Sequence, residues 1–237
     1  MTIDGIDIQT FNARQWNVSM GFCEISNSSE WLDNSLTPLM LESTTGFKKI
    51  KVSVMIRGST RQEILRNASN LIARLKKPAV ITLEGFENSF YAYLKNAEEA
   101  ETCLNRWHKA ELELYGYEYG NEVSISTSAK TLAVTCEGNI DTPAVIEITP
   151  LIGLESVTVT GIVRDPLTGA DQPVTIKKLT KDKKIIIDGE TGLVTEAGVN
   201  KFSDTELWDL PVLKPGLNTI TVNKDVTLTI KYKPRYI

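Results

Sequence analysis

The chain of 237 residues and 26.3 kDa is long enough for two domains, and its 24% charged and 41% hydrophobic residues describe a folded chain rather than a disordered or fibrous one. The net charge of −4 is evenly spread: 13 Lys and Arg stand against 15 Asp and Glu in residues 1–120, and the same numbers in 121–237, so neither part has the cationic excess that gripping a nucleic-acid backbone requires. The single histidine, His108, excludes multi-imidazole metal centres and leaves a Ser/His/Asp triad only one base, so no enzyme, metal or cofactor is expected.

The opening MTIDGIDIQTF has no basic segment ahead of an apolar one, and no apolar run reaches the ~20 residues of a membrane span. Neither a secretory signal nor a membrane contact is expected. The sequons at Asn17, Asn27 and Asn67 are then chance matches. Cys23, Cys103 and Cys136 are odd in number, far apart and without a CxxC pair, which fits buried small side chains in a chain made in a reducing cytoplasm. Residues 1–47 are rich in Asn, Ser and Thr, are punctuated by Pro38 and Gly46, and lack periodicity; they read as long loops or as an extended arm ordered against a neighbour.

Periodicity begins at Lys49–Arg57, where Ile50, Val52, Val54 and Ile56 alternate with Lys49, Lys51, Ser53, Met55 and Arg57, a half-buried strand. Thr60-Arg61-Gln62-Glu63 is a capping box, and Ile64, Ala68, Leu71, Ile72 and Leu75 form one helical stripe that Pro78 ends. This is the only long helix predicted. Ala79–Glu84 and Ser89–Asn96 flank the turn Gly85-Phe86-Glu87-Asn88, and strands are predicted at Thr102–Arg106 and Trp107–Tyr117. The order β-α-β-β-β-β predicts an α+β domain over 1–120, its helix packed on antiparallel strands.

Near Gly120 the pattern resets, and a second domain, 121–237, is all strand. Strands are predicted at Val123–Thr127, Leu132–Cys136, Ala144–Thr149, Ser156–Val163, Val174–Lys178, Lys184–Asp188, Asn218–Val222 and Val226–Tyr232, with turns at Pro143, Asp165-Pro166, Asp188-Gly189 and Pro215-Gly216. Eight short strands without a helix predict a β-sandwich of jelly-roll or related topology.

Few residues offer chemistry. His108 beside Trp107 has no acid or nucleophile assigned to it by the sequence and reads as structural. Glu98-Glu99-Ala100-Glu101 lacks the alternation and glycine of a calcium loop and reads as a solvated loop. Asp188-Gly189-Glu190-Thr191-Gly192 has no helix after it to meet a phosphate and reads as a hairpin turn. Trp208 and Tyr232 are the candidates for stacking on a sugar ring, with Asp204, Glu206 and Asp209 as acceptors for its hydroxyls; beside Leu207 and Leu210, Trp208 reads rather as a packing residue. A glycosidase would need two facing carboxylates, and the sequence selects no such pair.

The order KIKVSVMIRG, a capped helix ending LIARLKKP, then AVITLEGFENSFYAYLKNAEEAE, with Phe90-Tyr91-Ala92-Tyr93 as its aromatic segment, resembles the N-terminal region of the distal tail (Dit) proteins of long-tailed phages. Lys184–Gly192 is similar to the family's "l.idgetg", Leu210–Asn218 to its "fP.L.pG.N" with Leu210 in place of an aromatic, and Ile230–Tyr236 to its closing "i.y.pry". The resemblance covers most of residues 48–237. It implies a non-enzymatic virion component at the tail tip: a homo-hexameric ring built by the N-terminal domain, joining the tail tube to the baseplate or tail-associated fibre or lysin protein, with a galectin-like β-sandwich projecting outward. On that reading residues 1–47 strap onto the next subunit, and a carbohydrate-binding sandwich is the alternative.

Overall fold

The computed structural model describes residues 1–33, 35–99, 106–165 and 168–237. They form two compact units, Met1–Tyr119 with Ile237, and Gly120–Tyr236, each with its own core.

In the N-terminal unit, β1 (Thr2–Ile3), β2 (Ile6–Asp7), β3 (Ala13–Glu30), β4 (Leu39–Arg57), β5 (Ala79–Thr82), β6 (Ser89–Glu99) and β7 (Trp107–Tyr119) make one antiparallel sheet in the order β2-β1-β5-β6-β7-β4-β3. Its one α-helix among the described residues, α1 (Arg61–Arg74), lies against β4 and β7. The capping box closes as the spacing predicts: Thr60 Oγ1 accepts from the Glu63 N–H at 3.2 Å, and Glu63 Oε2 accepts from the N–H of Ser59, one residue before the cap, at 2.8 Å. Ile64, Leu71 and Leu75 are buried against Ile50, Val52, Val54 and Ile56 of β4 and Leu112 and Leu114 of β7, one continuous apolar core.

Residues 1–47 depart from the loop reading in two ways. Met1, Ile3, Ile8 and Ala13 belong to the core, tied down where the Met1 ammonium donates to Glu84 Oε1 at 2.7 Å. The next thirty or so residues are strand: β4 starts ten residues ahead of the periodic segment and pairs with β3 from Ala13↔Ile56 out to Glu30↔Leu39. Apolar alternation was missing there because the outer half of this hairpin faces no core on either side, and cross-strand pairing alone makes it a strand. Glu98 and Glu99, expected in a loop, extend β6 past a bulge at Leu94/Asn96, because β7 is long enough to keep pairing with them; Ala100 and Glu101 lie outside the described residues. The strand predicted at Thr102–Arg106 lies outside them too, except for Arg106, as does Cys103.

The C-terminal unit is a two-sheet sandwich. One sheet contains β8 (Val123–Thr127), β10 (Thr142–Pro150), β13 (Ile185–Asp188), β14 (Val194–Glu196), β15 (Val199–Asn200) and β19 (Val226–Tyr232) in the order β15-β14-β13-β10-β19-β8, with β17 (Val212–Leu213) also on β10. The other contains β9 (Thr131–Cys136), β11 (Leu154–Arg164), β12 (Asp171–Leu179), β16 (Thr205–Glu206) and β18 (Gly216–Val222) in the order β16-β12-β11-β18-β9. All eight predicted strands are present, and the short ones that escaped prediction have two or three residues, too few to show a period of two. Pro143 is in β10 opposite Val212, near the strand's start, where a missing N–H is tolerated, and not in a turn. Ile146, Ile148, Val157, Val159, Ile220 and Ile230 fill the space between the sheets, and Cys136 packs there as an apolar side chain.

Within this sandwich Glu147 is buried between the ammonium groups of Lys184, at 2.7 Å, and Lys231, at 2.6 Å. Burial pushes its carboxyl up, but the hydrogen bonds and charges of the two lysines outweigh it and hold the group below the ordinary 4.5. Asp188 and Glu196 are lowered against burial by the same kind of bonding: Asp188 accepts from Thr191 Oγ1 and from the N–H groups of Glu190 and Thr191, Glu196 from the Thr180 N–H and Lys201. A carboxylate whose pKa falls on folding contributes stability above its unfolded value and loses it as pH falls through the folded one. The melting temperature of this unit is expected to be level from pH 7 to about 5 and to drop progressively below about 4.5. Glu147→Gln should melt lower at pH 7 and show a shallower acid slope; an unaltered slope would refute the role assigned to Glu147.

Candidate functional site

The distal half of the β3–β4 hairpin is the most unusual surface of the N-terminal unit. Beyond Met20↔Ile50 it has no core beneath it, yet Phe22, Ile25, Trp31, Leu32, Leu36, Leu39, Met40 and Leu41 are all exposed. Phe22 is 92% and Leu36 96% exposed, whereas large apolar side chains on a monomer's surface normally occur singly. Apolar surface of this density is of the kind that meets a protein partner, a membrane or a ligand. The hairpin also breaks register at Gln15/Asn17, Met20/Cys23, Cys23/Ile25 and Ser28/Ser29, bulges that bend and twist a two-stranded ribbon, and β3 leaves one sheet edge unpaired.

The middle of the hairpin, where the arm leaves the sheet, is held firmly. Lys48, buried, donates to Glu118 Oε2, and Asn88 Nδ2 donates to Glu118 Oε1 at 2.7 Å, fixing β4 to β7 and the β5–β6 turn. Phe47 meets Tyr93 edge-on at 6.2 Å, and Tyr93 leans on Tyr115. Cys23 lies beside this ion pair; burial pushes its thiol up and Lys48 only partly offsets that, so it is no activated nucleophile. At the root of the hairpin, the end away from its tip, the Arg14 guanidinium lies 4.8 Å from the Trp107 ring centroid and 5.7 Å from that of Trp16, with Arg57 5.7 Å from Trp107 on the same, outer face.

The residues singled out by chemistry do not converge. His108 is on β7 opposite Ile56, half-buried. Asp188-Gly189-Glu190-Thr191-Gly192 is the β13–β14 turn, shaped by the hydrogen bonds to Asp188. Trp208 is 81% exposed rather than packed, because only Leu207 of its neighbours turns toward the core. Tyr232 is 5% exposed, its hydroxyl donating to the Thr135 carbonyl at 2.9 Å, so its ring faces other core side chains and not solvent. Asp204 and Glu206 are tied to Lys178 and Lys177, leaving Asp209 the acid nearest Trp208 in sequence without such a tie. Among the described residues no three His, Cys, Asp or Glu group together as metal ligands, and no helix is long and apolar enough to cross a membrane. The hairpin itself escaped a residue-level prediction; the signal available was the density of Phe, Trp, Leu and Met in a segment of otherwise polar composition.

Residues 137–236 match the family described as siphovirus-type tail component, C-terminal domain. Over 99% of its length the chain shares its fold with the Dit protein of phage SPP1, a paradigm of the hub adsorption apparatus in phages infecting Gram-positive bacteria, at a TM-score of 0.79, 15% identity and 98% coverage of that chain. Chains of the phage P2 baseplate in its activated conformation are similar over 96% of this chain and 92% of theirs, with TM-scores of 0.52 (11% identity) for the calcium form and 0.51 (12% identity) for the strontium form. No curated protein matches in sequence. Residues 137–236 are thus similar to the C-terminal domain of siphovirus-type tail components, and the chain as a whole has the fold of the SPP1 Dit protein.

Proposed function

We propose that this protein is the ring of the tail tip: six copies closed head to tail through the N-terminal units, joining the tail tube to the fibre or lysin protein beyond it, with the C-terminal sandwiches carried outside. The observation that carries this reading is the arm, a hydrogen-bonded hairpin that leaves its own core and offers apolar side chains on surfaces a monomer has no use for. A ring needs heterologous contacts, in which a projecting element of one copy meets a different surface of the next, and an arm with a firmly rooted base supplies one half of such a contact. The C-terminal unit has a complete core of its own and needs no partner to bury it. The exposed ring of Trp208 favours the alternative of a sugar-binding sandwich, but with Tyr232 buried it stands as one ring and not a platform.

The tail-tip position is tested by incubating gold-labelled protein with tail tubes assembled from the phage's own tube protein. Label at one end of each tube is expected. Label scattered along the tube wall, or no retention on tubes, would contradict the joining role.

A further inference from the structure

The arm and the root of the hairpin are opposite in chemistry. From Gln15 to Phe47 there is no Lys, Arg or His, while Glu24, Glu30, Asp33 and Glu42 all fall there, and none of these four acids is ion-paired among the described residues. At the tip Glu30 and Asp33 bracket Trp31, 68% exposed, and Leu32. At the root Arg14 and Arg57 are stacked against Trp107 and Trp16 with no carboxylate partner among the described residues. A guanidinium lying on an indole keeps its N–H edges free for a planar anion, and the indole faces beside it suit an apolar or aromatic side chain. Trp and Arg together are also the residue types that dominate binding energy at protein interfaces.

We infer that the Arg14–Trp16–Trp107–Arg57 platform receives the Glu30–Asp33 arm tip of the next copy of this chain. The inference rests on the ring reading above and names the contact that closes it. Within one chain the contact is impossible: the ladder runs unbroken in sense from Ala13↔Ile56 to Glu30↔Leu39, which places tip and platform at opposite ends of one hairpin, roughly 50 Å apart at ~3.3 Å per residue. Complementary surfaces at opposite ends of a rigid element can be satisfied only between copies, and such pairing is head-to-tail by construction. The charges set which copy surfaces meet and in what register, and Trp31 and Leu32 supply the buried apolar contact.

The test uses two full-length variants, Arg14→Glu/Arg57→Glu and Glu30→Arg/Asp33→Arg, followed by light scattering. Each alone should associate about a hundredfold more weakly than the unaltered chain, since it sets like charges against each other. Mixed one to one, each variant's arm again finds an opposite charge, and assembly should return. Variants that assemble as well as the parent, or a mixture that stays dissociated, would overturn the pairing. Independently, a photoreactive side chain in place of Leu32, in an equimolar mixture of 14N and 15N full-length protein, should form inter-copy cross-links to the segments around Arg14 and Trp107; cross-links elsewhere would overturn it. Six-fold rings with cross-links elsewhere sink this contact and leave the ring standing, whereas cross-links at the platform without closed rings sink the ring and leave the contact. Binding of a short DNA duplex that is lost in Arg14→Glu/Arg57→Glu while assembly is unaffected would make the platform a phosphate site and overturn the pairing.

Discussion

Replacing residues 22–47 with an Asn-Gly turn is expected to leave the N-terminal unit folded and to abolish its association. The excised residues are absent from its core, which is built from Met1, Ile3, Ile8, Ala13, β4 from Ile50 onward, α1 and the β5–β7 strands. Lys48 stays in place to bond Glu118, and a two-residue turn of this type matches the twist of the strands it joins. The melting temperature of the unit should therefore move by only a few degrees. Association should change far more. Burying one large apolar side chain contributes about 1.5–3 kcal/mol, and the excision removes nine exposed ones, so even partial burial of these in an interface predicts an affinity weaker by at least about a thousandfold. Sedimentation velocity on the two proteins at matched concentrations would show it. An excised protein that associates as the full chain does would mean that the arm is not the contact.

The second large effect belongs to the C-terminal unit. Gly161 is in β11 at the register shift between Val159 and Val163, with φ of +88°, and a Cβ placed on it would run into the Thr219 carbonyl of β18. The bulge brings the backbone of the neighbouring strand so close that only a hydrogen fits. Gly161→Ala adds left-handed strain of about 1–2 kcal/mol to a backbone clash of similar size, so a loss of roughly 3 kcal/mol is expected. For a unit of this length that lowers the melting temperature on the order of 10 °C. Gly198, with φ of +84° and open space where a Cβ would sit, is the control: Gly198→Ala carries the strain without the clash and should cost about half as much. Equal losses at the two glycines would show that the close approach of β18 carries no weight.

Legibility in the sequence followed burial. β4 from Lys48 onward, α1 and the eight longer sandwich strands each turn a face to a core, and burial writes a period of two or 3.6 into the residues. The capping box was readable because Thr60 and Glu63 act locally. The arm left no such trace: its strands are exposed on both faces, so selection for a core never imposed an alternation on them, and its polar composition resembled a loop. Trp208 was misleading for a related reason, since lying next to Leu207 and Leu210 in sequence says nothing about which way an irregular segment turns its rings. Two of the motifs that carried the family resemblance have plain physical roles. Asp188 collects three hydrogen bonds to form the β13–β14 turn, and Asn218, buried, accepts from the Lys214 N–H at 3.0 Å and donates to the Lys214 and Gly216 carbonyls at 2.8 and 3.0 Å, clamping the Pro215-Gly216 turn. The platform of Arg14, Trp16, Arg57 and Trp107 draws on three separate strands, and no pattern along the chain announces a meeting of that kind.

The claim that the chain closes on itself through its arms is tested most directly by negative-stain electron microscopy of the purified full-length protein across a range of concentrations. Rings of six-fold symmetry with a central opening are the predicted result, in equilibrium with single copies at the lowest concentrations. Solitary two-lobed particles at every concentration, or closed two-fold dimers with no opening, would contradict it.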